Sequence, residues 1–161
     1  MHTIRVGFVG FAVVVLGVSL ASQARPPQGA DAKRLVGTWR LVEITADGKP
    51  DPNRGLHPTG LIHYDGTGHM AVQIMPEARR PVFAGLVPTP AEAQSALRGY
   101  TAYFGTYSVD ERAHTVTHRR EGNINPGGLG DFVRRYAFLP GDRVALRPLE
   151  NQNQLVWERL K

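Results

Sequence analysis

The 161-residue sequence predicts an all-β domain, eight antiparallel strands in up-and-down order closed into a barrel, with one short helix before the fourth strand. Three observations carry this reading. Eight runs rich in β-forming residues follow one another. Most are joined by tight turns, which favours antiparallel neighbours. No βαβ rhythm or internal repeat interrupts them, and eight such strands lose both edges by closing on themselves.

The first residues stand apart from the domain. Met1 to Arg5 is a short basic start, Val6 to Leu20 is apolar, and Ala21-Ser22-Gln23-Ala24 offers small residues at a cleavage site. These are the three parts of a secretory signal peptide. Residues 1–24 are read as that signal, cleaved after Ala24. Residues 25–34 are read as a flexible lead-in and 35–161 as the barrel domain. The apolar run is short for a membrane span, which needs about 20 residues; an uncleaved anchor is the alternative. The expected location is periplasmic or secreted. The chain has no cysteine, so the fold rests on its core without disulfides, and thiol catalysis is excluded.

The first strand is Leu35 to Ile44, ending at the turn Ala46-Asp47-Gly48. A proline-rich loop runs from Pro50 to Pro58. Gly60 to Tyr64 and His69 to Met75 flank Asp65-Gly66-Thr67-Gly68, and Asp-Gly supplies the positive φ angles of a hairpin turn. Thr89-Pro90-Ala91-Glu92 is a capping box with proline at the first helical position, and Gly99 is placed to end the helix. The aromatics Tyr100, Tyr103, Phe104 and Tyr107 have helical spacing, yet they follow that stop. Tyr100 to Val109 is therefore read as a strand, with Gly105 marking a bend or close approach. Thr115 to Glu121, Phe132 to Leu139, Arg143 to Arg147 and Gln154 to Leu160 complete the set.

Several motifs look familiar together. Gly37-Thr38-Trp39 matches the Gly-x-Trp signature of lipocalins. Leu35 to Leu41, Pro58 to Tyr64, Gly68-His69-Met70, Gly99 to Tyr107, Thr117-His118 with Glu121-Gly122, and Leu155 to Arg159 follow in order. The set resembles the bacterial and fungal lipocalin-like domain family from Leu35 to Leu160. The resemblance implies a barrel whose interior can hold a small molecule, without naming the ligand. It also implies that Arg159 packs on Trp39, a structural contact at the barrel floor.

Strand alternation then sorts the side chains. Tyr107 and Val109 are assigned inward, because Thr106 and Ser108 suit solvent better. Their partner strand sends Val116, His118 and Arg120 inward, and the next hairpin presents Arg134, Tyr136, Phe138, Val144 and Leu146. Trp39 and Trp157 are expected to close one end. Lumen-facing His118, Arg120 and Arg134 would imply water and an anionic group inside, since charges are rarely buried without partners. The candidate ligand-binding residues are thus Tyr107, His118, Arg120, Arg134 and Tyr136. The other reading is that either arginine faces solvent or pairs with Glu121 or Asp131, because a one-residue slip exchanges the faces.

The net charge is +5, with basic residues scattered in pairs such as Arg79-Arg80, Arg119-Arg120 and Arg134-Arg135. That distribution does not suit nucleic acid. No metal or cofactor is expected. His114 and His118 would lie about 13 Å apart on a strand, and no phosphate-loop, nucleophile-elbow or zinc-protease motif occurs. Function is read as binding of a small apolar or amphipathic molecule, with an acidic head as one form. The alternative is an isomerase or cyclase acting on a lipid-like or polyketide-like substrate, with His118 as acid or base and Tyr107 as hydrogen-bond donor.

Overall fold

The computed structural model describes residues 24–80 and 82–161. Apart from Ala24, the expected export signal lies outside the described residues. The elements are α1 (Ala30–Leu35), β1 (Gly37–Ala46), β2 (Lys49–Pro50), β3 (Thr59–Tyr64), β4 (His69–Met75), α2 (Pro90–Leu97), β5 (Thr101–Asp110), β6 (Thr115–Asn123), β7 (Gly130–Leu139), β8 (Arg143–Pro148) and β9 (Gln154–Arg159). From β3 to β9 each strand pairs antiparallel with the next. β1 pairs with β3 on one side and with β9 on the other, Trp39 lying opposite Arg159 and Ile44 opposite Leu155. The result is a closed eight-stranded antiparallel barrel, as the turn chemistry predicts. β2 is a two-residue stub folded back on the end of β1. Among the described residues, no helix is long and apolar enough to cross a membrane.

The helix before β5 forms as its capping box dictates. The Thr89 hydroxyl accepts the Glu92 amide, and the Glu92 carboxylate accepts the Thr89 amide in return. A second helix, α1, was not expected. Residues 30–35 fall mainly in the span read as a flexible lead-in, and β1 begins at Gly37 instead of Leu35. The reason is tertiary. Six residues cannot hold a helix by propensity. The Glu111 carboxylate, 80 positions away, accepts the Asp31 amide at 2.7 Å and the Ala32 amide at 3.1 Å. Ala32 and Leu35 are buried beneath it.

Alternation along the strands builds the core. Ile62 and Tyr64, Met70, Val72 and Ile74, and Val144 and Leu146 all face inward and are buried. β5 sends Tyr103 and Tyr107 inward and leaves Phe104 outside, 58 % exposed. Between them the β5–β6 register shifts, with Phe104 opposite Gly122 and Gly105 opposite Arg120. Glu121 is thus the extra residue of a bulge. Gly105 is the close approach expected from the sequence: a Cβ there would sit 2.0 Å from the Arg119 carbonyl oxygen. Gly105→Ala is expected to cost about 1–3 kcal/mol, the usual penalty of overpacking. Urea unfolding checks this; an unchanged midpoint would mean that the bulge relaxes freely.

One end of the barrel is shut. Trp39 and Trp157 are fully buried there. The Arg159 guanidinium lies 4.1 Å from the Trp39 ring centre, as the resemblance implies. It donates to the Val36 carbonyl at 2.7 Å and also to the Arg34 carbonyl. Gly37 has φ +135°, and a Cβ on it would meet that guanidinium at 2.5 Å. The glycine of Gly-x-Trp therefore makes room for the arginine that covers the tryptophan.

The β3–β4 turn lies at the same end. Asp65 accepts the amides of Thr67 and His69, each at 2.8 Å, and the Thr67 hydroxyl at 2.8 Å. Slight burial works against its charge, but these bonds prevail and hold the carboxyl at about 2, below its usual 3.8. A depressed folded pKa gives stability that is present above the unfolded value and lost as pH falls through the folded one. The parent is expected to lose stability between pH 3.8 and about 2, and Asp65→Asn to lack that component. Parallel acid-unfolding curves for the two proteins would contradict it.

Candidate functional site

The other end of the barrel is open. The late residues of β1, β4, β6 and β8 and the early residues of β5, β7 and β9 converge on it. They enclose a cavity of about 370 Å³, at the small end of ligand pockets, which run from about 300 to 1,000 Å³. Its apolar wall includes Ile44, Ile74, Ile124, Pro148 and Leu155, and its polar wall includes Arg54, Tyr103, Arg120 and Arg134. Below the cavity, side chains fill the barrel.

Arg134 is the unusual group. It is only 7 % exposed, its Nε is buried without a hydrogen-bond partner, and it lines the cavity. Its guanidinium carbon lies 4.4 Å from the centre of the Phe132 ring. Arg120 flanks the same ring at 4.9 Å and donates to the Gly130 carbonyl at 3.3 Å. Among the described residues neither arginine forms an ion pair. Asp131, the partner considered from the sequence, instead takes Arg119 on the outer face through two bonds of 2.8 and 3.1 Å. Among the described residues, the single carboxylate on the cavity wall is Asp51, already bound to Arg54 at 2.6 Å. A cavity with two arginines free of carboxylates attracts an anion.

Beneath the cavity lies a buried polar chain. The fully buried His118 hydrogen-bonds through Nε2 to the Tyr64 hydroxyl at 2.7 Å and through Nδ1 to the Tyr103 hydroxyl at 2.9 Å. Burial first, then the charges of Arg134 and Arg120, push the His118 pKa well below 6.5. The ring is therefore neutral. Burial likewise raises the pKa of Tyr64 well above 10.

The candidates from the sequence fall into three levels. Arg120 and Arg134 line the mouth. His118 lies under it, reaching the cavity only through Tyr103. Tyr107 and Tyr136 are inward and buried but belong to the closed half. The Tyr107 hydroxyl donates to the Asp65 carbonyl at 2.8 Å, and burial and the nearby Asp65 charge push its pKa up to about 12. The Tyr136 hydroxyl donates to Asp31 of α1 at 2.8 Å. The structure thus brings Arg120 and Arg134 together with Tyr103, Arg54 and Asp51, which were not singled out in the sequence. Tyr103 shares the inward face of Tyr107, so alternation alone could have nominated it. Asp51 and Arg54 lie in a loop, where no periodicity exists to read.

A second depression, about 280 Å³, lies on the outer wall beside Ala24, Arg25 and Thr106. Of its two arginines, Arg25 and Arg119, the second is paired with Asp131, and none of its described lining residues has a buried unpaired group. The mouth cavity is therefore the candidate site. Comparison with curated proteins yields no match. The family model of the lipocalin-like domain matches residues 36–160, which span the whole barrel. With its closed eight-stranded sheet and its cavity suited to a small ligand, the chain belongs to the lipocalin-like domain family.

Proposed function

We propose that this is an exported binding protein for a small amphipathic anion, held head-first in the barrel mouth. One observation carries the reading: Arg134, almost fully buried with an unpaired Nε, lines the cavity and has no anionic partner among the described residues. Leaving a cation so placed is costly, and a bound carboxylate or similar head would offset that cost with charge-assisted hydrogen bonds. Arg120 adds a second positive group. The apolar body would lie along Ile44, Ile74 and Leu155, gaining about 25 cal/mol per Å² buried. The volume favours a compact ligand over a long lipid chain. Binding is preferred to catalysis because both ring nitrogens of His118 and the hydroxyl of Tyr107 are committed to protein partners.

Calorimetric titration with 2-naphthoate and its neutral twin 2-naphthamide tests the reading. The acid is expected to bind at least tenfold more tightly, because one charge-assisted contact is worth roughly 1.5–3 kcal/mol. Equal affinity for the two compounds would overturn the anion site.

A further inference from the structure

The directions of the hydrogen bonds beneath the cavity follow from counting donors. Tyr64 is fully buried, and among the described residues His118 Nε2 is the one hydrogen-bond partner of its hydroxyl. A buried O–H with no acceptor carries a desolvation penalty, so the Tyr64 proton points at Nε2. Neutral imidazole has one donor and one acceptor nitrogen. Nε2 therefore accepts, and the ring proton sits on Nδ1. That N–H donates to the Tyr103 oxygen 2.9 Å away. The Tyr103 proton is then turned away from the histidine and left for another acceptor, and Tyr103 is one of the residues that line the cavity.

We infer that Tyr103 is a specificity-determining donor of the mouth cavity, with Tyr64 and His118 as positioning residues that fix its hydroxyl to give, not accept, a hydrogen bond. The inference rests on the anion-binding reading and narrows the ligand class. The head group must present a lone pair to Tyr103 while its charge meets Arg134, as a carboxylate or an enolate does. A head bearing N–H donors at that point would face a second donor and be rejected, the usual basis of hydrogen-bond discrimination in a buried site. The chain also explains why a neutral histidine lies beside two positive arginines. An imidazolium would reverse the first bond and leave the Tyr64 proton without an acceptor.

Two measurements test it. Long-range proton–nitrogen correlation spectra of the full chain labelled at histidine nitrogen report the tautomer directly. The expected result is a His118 ring protonated on Nδ1 alone, unchanged from pH 5 to pH 8. A proton on Nε2, or titration in that range, would overturn the orientation. In the second measurement, Tyr103→Phe is expected to lower 2-naphthoate affinity about tenfold, the effect of one lost hydrogen bond to a charged group, and to lower the melting temperature, because the buried His118 Nδ1–H loses its acceptor. Affinity equal to that of the parent would overturn the role of Tyr103. A parent that binds 2-naphthoate no better than 2-naphthamide would remove the anion site and that role with it. The tautomer, measured without ligand, would still decide the orientation of the chain.

Discussion

Arg134→Met is expected to weaken 2-naphthoate binding by roughly 10- to 100-fold and, at the same time, to stabilise the fold by about 1 kcal/mol. The two effects share one cause. In the free protein Arg134 is almost fully buried, its Nε lacks a hydrogen-bond partner and the side chain has no ion-pair partner among the described residues. Its stacking on Phe132 at 4.4 Å returns part of that cost, since such contacts are worth roughly 0.5–2 kcal/mol. Methionine of similar length keeps the packing and removes the buried charge. Opposite signs for binding and stability mark a residue retained for its ligand. Calorimetry and thermal unfolding of the same variant decide the matter. A lower melting temperature with unchanged affinity would show that Arg134 is a structural residue instead.

The largest loss of stability is expected at the other end of the barrel. Trp39→Ala should cost about 3–5 kcal/mol, against a total of about 5–15 kcal/mol for a typical domain. Trp39 is fully buried, and three structures lean on it. Its indole N–H donates to the Leu35 carbonyl at 2.8 Å, which anchors α1. Its ring carries the Arg159 guanidinium at 4.1 Å. Its strand neighbours include Ile62 on β3 and Arg159 on β9, so it joins the first strand to the last. Trp39→Phe should retain most of the packing and cost less. A urea-unfolding loss below about 1 kcal/mol for the alanine variant would show that the floor is carried by other residues.

These two positions differ in how far the sequence foretells them. Trp39 and Arg159 carry local signatures: a glycine two residues before a tryptophan, and an arginine two residues after the tryptophan of the last strand. Arg134 follows from alternation, since Arg134, Tyr136 and Phe138 share a face. What alternation does not supply is height along the barrel axis. Tyr103 and Tyr107 share an inward face, yet four strand residues separate them by about 13 Å. One therefore lines the mouth and the other the closed half. The same limit hid the pairing of Arg119 with Asp131, which depends on the register between β6 and β7.

By itself the sequence determined the strand count, the hairpin turns, the capped helix before β5 and the inward set of side chains. Each of these rests on residues close together in the chain: alternation, Asp-Gly turns and the Thr89–Glu92 box. The tertiary structure alone decided that α1 exists, because its amides are capped by a carboxylate 80 positions away. It alone decided that Tyr64, His118 and Tyr103 form one chain of hydrogen bonds. These three residues lie on β3, β6 and β5, and only barrel closure and the bulge at Glu121 bring their side chains within bonding distance. Short-range preferences set the elements. Contacts between residues far apart in sequence set which of the inward side chains meet, and whether they meet at an open cavity or in a filled core.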